Sequence, residues 1–195
     1  MAGWPAGQLR PLRFPPNGHT RFVDFADWET SQRQLPDGAV ESEQCVTLSA
    51  PVVAYDDAGA TTLGERYWRE VERATYGLVR AHRTAEGVRL RLLGRGPVLL
   101  SFAPARLEAD TNSVRCSFPI SGGRLARRAA GELTFAQVDG ERVELRSAIR
   151  GFYPALAAHD DRRDWTGALY NSVQSRIHVA ISRRYFASLA AGETE

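Results

Sequence analysis

The residues best suited to chemistry lie near the C-terminus. Asn171, Gln174, His178, Ile181 and Tyr185 follow one another at steps of three, four, three and four, so on a helix they share one face. A face mixing amide, imidazole and phenol groups with apolar ones is how a small-molecule site is lined. His178 titrates near neutral pH and can act as a general acid or base. Tyr185 and Asn171 can donate to a ligand carbonyl. His178 and Tyr185 are therefore the candidate catalytic pair, and all five residues are candidate ligand contacts. The bland reading of this stripe is the solvent flank of an amphipathic helix.

Arg146, Arg150 and Tyr153, with Arg80, form a second candidate set. A one-residue slip of strand register exchanges the two faces of a sheet. Turned inward, an arginine would bind a carboxylate or stabilise an enolate. A third set is Arg124, Arg127 and Arg128 in the loop Ser121-Gly-Gly-Arg-Leu-Ala-Arg-Arg128. It reads either as a solvated turn or as a contact for an anionic group, such as the phosphopantetheine of an acidic carrier protein.

Other chemistries find no support. The histidines are His19, His82, His159 and His178, with no HxH or HxxxH spacing, so no metal site is expected. In His159-Asp160-Asp161 adjacent side chains point apart, which suits a charged linker. There is no GxSxG and no GxxxxGK[ST], and no cofactor is expected. Haem would need only one histidine, which keeps a nitrobindin-like reading open. Nucleic-acid binding would want exposed aromatics among the basic residues, whereas here they sit at core spacing.

The elements that would position these groups are legible along the chain. Residues 1–43 begin Pro- and Gly-rich and continue polar, with a turn at Pro36-Asp37-Gly38, and read as an arm packed on or extending from the body. A domain of residues 44–195 follows. Residues 44–54 read as a strand broken at Pro51. A helix over 61–75, capped by Thr61 or Thr62 with Glu65 completing a capping box, buries Leu63, Tyr67, Val71 and Ala74. Strands follow over 76–83, 87–94, 97–103, 106–109, 113–120, 131–138 and 142–152. Asp139-Gly140 is a strong hairpin signal between the last two. Val88, Leu90 and Leu92 alternate with Arg89 and Arg91; Val143, Leu145, Ser147 and Ile149 alternate with charged residues. Such period-two patterning means an antiparallel sheet with one wet face. Asp164 can cap a final helix from Trp165 to about Leu189, with Leu169, Val173, Ile177, Ala180 and Ile181 as its apolar stripe.

Composition bounds the rest. The chain has 195 residues, 43% hydrophobic and 25% charged, with a net charge of +2, as expected of one globular domain. All 25 basic residues are arginine, which suggests high-GC coding. The middle of the chain, residues 61–130, carries thirteen arginines against six acids and could face an anionic partner. Cys45 and Cys116 form no disulfide framework, and no secretory signal is visible, so a reduced cytoplasmic setting is expected. No apolar run approaches the roughly 18 residues of a membrane span.

A strand, a helix, a meander of about six to seven strands and one long terminal helix make an α+β protein: a curved antiparallel sheet wrapped around that helix. Over about residues 44–190 this element order resembles the helix-grip superfamily of START, Bet v 1 and polyketide-cyclase proteins (SRPBCC). The resemblance implies a cavity between sheet and terminal helix, with a hydrophobic small molecule such as a lipid or polyketide as ligand. A polyketide cyclase or dehydratase on the same scaffold is the alternative, and a non-catalytic interaction protein a further one. The superfamily has two short helices after its first strand where one is evident here, and residues 1–43 have no counterpart in it. A closed lipocalin- or nitrobindin-like barrel is the competing architecture.

Overall fold

A computed structural model describes residues 28–155 and 179–192. Among the described residues nine strands form one antiparallel sheet: β1 (Glu29–Gln34), β2 (Val40–Leu48), β3 (Val79–Thr84), β4 (Gly87–Leu92), β5 (Val98–Phe102), β6 (Arg106–Asp110), β7 (Ser113–Gly122), β8 (Glu132–Val138) and β9 (Val143–Phe152). Helix α1 (Asp57–Ala74) connects β2 to β3, and a C-terminal helix, α2, runs over 179–190. The strand order is β1-β2-β9-β8-β7-β5-β4-β3, with β6 paired to one half of β7.

The meander therefore forms much as the alternation and turns require, and the first long strand, β2, closes against the last, β9, along most of its length. The sheet is open. Its ends are β1 and β3, both rich in exposed polar residues, which corrects the closed-barrel alternative: polar outer strands end pairing instead of continuing it. Residues 29–34, read as part of a polar loop, are a strand. Every residue of β1 is exposed, and the strand is held by its ladder to β2, so there is no buried face to produce alternation. The described part of the arm thus belongs to the sheet.

Helix α1 starts at Asp57, four residues before the expected start, and its cap is Asp56. The Asp56 carboxylate accepts from the Gly59 N–H at 2.8 Å, where the sequence suggested Thr61 or Thr62. Both threonines instead turn their hydroxyls back onto the carbonyls of Asp57 and Ala58. Leu63, Tyr67 and Val71 are buried as the spacing demands, and Trp68 joins them.

The helix approaches the sheet most closely at Gly64. A Cβ there would lie 2.8 Å from Cys116 Sγ and 2.8 Å from Phe118 Cζ on β7, inside van der Waals contact. Alanine would improve helix propensity by about 1 kcal/mol, but overpacking against a buried ring costs about 1–3 kcal/mol. Gly64→Ala is therefore expected to destabilise the fold, with a lower urea midpoint at unchanged m-value as the check. A higher midpoint would show that the α1–β7 contact can relax.

Candidate functional site

Among the described residues, α1 and α2 share one buried cluster with the sheet, and its interior is aromatic. Tyr67 and Trp68 of α1 meet Phe102, Phe118 and Phe135 of the sheet and Tyr185 and Phe186 of α2 in one continuous cluster. Ring centroids lie 4.4 Å apart for Tyr67–Phe135, 5.2 Å for Phe135–Tyr185 and 5.6 Å for Tyr67–Tyr185. These are the offset and edge-on distances that aromatic pairs favour.

Polar groups are set into this apolar interior. Buried Gln44 of β2 accepts from the Ser182 hydroxyl of α2 at 3.1 Å and donates to Ser42 at 2.8 Å. Ser147 lies beside Gln44 in the β2–β9 register. Glu70 of α1, also buried, is held by Arg73 at 2.9 Å and by Arg184 of α2 at 3.5 Å, an ion pair that links the two helices. The Trp68 indole N–H, the Ser147 hydroxyl and the Tyr185 phenol are buried with no hydrogen-bond partner among the described residues. Such orphaned atoms are few in native structures, and a bound water or ligand group is one way to satisfy them.

Burial also determines protonation here. It pushes the Tyr185 phenol well above its ordinary value, with the Cys116 and Tyr67 groups adding to the shift. Tyr185 is thus a neutral hydrogen-bond donor and no base. Cys116 is pushed up to about 12 by burial, so its thiol is not a nucleophile at neutral pH.

The candidates from the sequence are scattered. Asn171, Gln174 and His178 lie outside the described residues. Ile181 and Tyr185 are buried in the core, while Ala180, assigned to the apolar stripe, is exposed. The core face of α2 is the one carrying Ile181, Ser182, Tyr185, Phe186 and Leu189. Arg146 and Arg150 point to the outer face: Arg146 pairs with Glu144 and Arg150 with Glu43 at 3.0 Å. Arg80 is exposed and lies 3.4 Å from Glu72. Tyr153 is buried, but at the sheet margin, where its hydroxyl donates to Asp37 and holds that carboxyl below its usual range. The Arg128 guanidinium stacks 3.4 Å over the Tyr153 ring, so this arginine braces the turn, while Arg124 and Arg127 are exposed.

Gln44, Ser182 and Trp68 were not anticipated. A signal for Gln44 existed, since alternation in β2 puts it on the same face as Ser42 and Val46. Trp68 sits next to Tyr67 at an angle that the four-residue stripe skips. A separate groove of about 770 Å³, bordered by Trp28, Glu29, Thr47, Val138 and Glu144, opens to solvent at one end of the sheet. No protein-family profile, curated protein or solved structure matches this chain.

Proposed function

We propose that the chain is a helix-grip protein that holds an apolar small molecule bearing one hydrogen-bonding group between its sheet and C-terminal helix. The observation that carries this reading is the pair of unpartnered donors, Tyr185 and Trp68, inside an otherwise apolar cluster. A ligand carbonyl or carboxylate would satisfy either of them. The strand order supports the scaffold, with β2 beside β9, α1 between β2 and β3, and a helix following the sheet. Because the rings already touch, the ligand enters by displacing them, and its binding is coupled to core packing.

Displacement of a fluorescent fatty acid, with native mass spectrometry of protein purified from its host, tests the proposal. Tyr185→Phe should weaken binding about tenfold, the equivalent of one hydrogen bond, while leaving the unliganded protein as stable as before, because the lost hydroxyl had no partner. The reading fails if no apolar molecule co-purifies or displaces the probe, or if Tyr185→Phe binds as tightly as wild type.

A further inference from the structure

Four of the five large apolar side chains that stand exposed among the described residues gather at one corner, remote in sequence from α2; the fifth, Leu107 at 39%, lies on β6. Tyr76 is 91% exposed, Leu93 67%, Leu78 54% and Leu92 38%. Tyr76 and Leu78 belong to the turn between α1 and β3; Leu92 ends β4 and Leu93 begins the turn to β5. The Leu93 N–H donates to the Leu78 carbonyl at 2.7 Å, so the two turns are tied side by side.

Both turns are built to push an apolar side chain outward. Tyr76 and Leu93 are the non-glycine residues with positive φ among the described residues, each at 52°. Left-handed backbone is unfavourable for bulky side chains and persists where the surroundings impose it. In each turn a glycine at positive φ follows, Gly77 at 74° and Gly94 at 73°, so the apolar residue occupies the first of two consecutive left-handed positions. These first positions carry a ring and an isobutyl group, both exposed.

The surroundings are cationic. Residues 69–96 carry seven arginines and three glutamates, and one of those glutamates, Glu70, is buried and committed to Arg184. Arg80 and Arg91 stand directly opposite each other across β3 and β4, a like-charge pair of which Arg80 is offset by Glu72 at 3.4 Å and Arg91 donates to the Gly96 carbonyl at 3.1 Å. The Arg80 chain passes both turn glycines. A depression of about 300 Å³ beside Tyr76 is lined by Arg69, Arg73 and Arg80 with Glu72. Charged residues on the edge strand β3 would by themselves be explained as a guard against strand pairing. That does not explain four apolar side chains placed at the tips.

We propose that this corner docks on an anionic lipid surface. Tyr76, Leu78, Leu92 and Leu93 would enter the interfacial layer, and the surrounding arginines would engage lipid phosphates. Aromatic and leucine side chains ringed by cations are the combination that binds peripherally to anionic bilayers. No helix among the described residues is long and apolar enough to cross one, so the attachment is to the surface. This inference stands on different residues from the ligand site and holds or fails separately.

Co-sedimentation of the full chain with phosphatidylcholine vesicles, with and without about one-third phosphatidylglycerol, tests it. Binding is expected only to the anionic vesicles and should weaken as salt is raised. Arg80→Gln and Arg95→Gln should each reduce it about fivefold. The double variant Tyr76→Ser/Leu93→Ser should reduce it more, with an unchanged thermal midpoint showing that the fold is intact. Equal partition into neutral and anionic vesicles, or undiminished binding by the serine variant, would overturn the proposal. So would a concentration-dependent dimer in sedimentation velocity that the same variant abolishes, since the corner would then be a contact between copies of this chain.

Discussion

Trp68→Ala should lower the stability of the protein by about 3–5 kcal/mol, the largest loss expected from any single substitution at the centre of the core. The indole is almost completely buried and is enclosed by rings on three sides, with centroids at 4.9 Å for Phe118, 5.1 Å for Phe102 and 5.2 Å for Tyr67. It joins α1 to β5 and β7, so its removal opens a void between helix and sheet that rigid rings cannot fill. Against a typical total of about 5–15 kcal/mol, that loss leaves a protein close to its unfolding threshold. Trp68→Phe separates packing from polarity. It keeps a ring in place and deletes an N–H that has no partner, so its cost should be below about 1.5 kcal/mol. Chemical denaturation of both variants decides the matter. Equal losses would mean that the indole N–H, and not the ring, is what matters at this position.

The meander was legible because its signals are local and agree with one another. Asp139-Gly140 falls between β8 and β9, and the alternation of Val143 and Leu145 with Glu144 and Arg146 matches the observed facing. Two elements were not legible for opposite reasons. Strand β1 has no buried side, so its polar residues carry no period. The start of α1 was hidden because aspartate serves both turns and helix caps, and Asp56-Asp57 reads as a break until the bond to Gly59 is seen. In each case a long-range or cap interaction settled what the local pattern left open.

The candidate site was less legible than the fold. The stripe of Ile181 and Tyr185 does share a helix face, as the spacing requires, but that face is also the core-packing one. Periodicity identifies which residues travel together and is silent on what they meet. Of the apolar stripe, Ile181 is buried and Ala180 exposed, while Leu169, Val173 and Ile177 lie outside the described residues. The sheet-facing side was set by bulk: Tyr185, Phe186 and Leu189 fill space that Ala180 cannot. Buried amides such as Gln44 look like surface residues in a sequence, since glutamine is mostly exposed, and only a partner such as Ser182 shows otherwise.

Gln137 is the clearest instance, and its replacement should produce the second-largest loss. The side chain is fully buried on β8 and reaches the irregular segment between β2 and α1. Its Oε1 accepts from the N–H groups of Val52 at 2.8 Å and Val53 at 3.1 Å, and its Nε2 donates to the Val53 carbonyl at 2.8 Å. A segment without regular structure has to satisfy its backbone elsewhere, and here one amide satisfies three groups. It thereby fixes the path of the chain into the Asp56 cap. Leucine has nearly the same volume, so Gln137→Leu leaves little void, yet it strands two donors and an acceptor. Each orphaned group costs about 1–3 kcal/mol when buried, and these are only partly buried, so a total of about 2–4 kcal/mol is expected. The loss should also be local in origin. Amide exchange should speed up first at Val52, Val53 and the opening turn of α1, at denaturant concentrations where β8 and β9 remain protected. A uniform rise across the sheet would instead place the weight of Gln137 in core packing, and the segment before α1 would then be held by Val52 and Val53 themselves, which pack against the core.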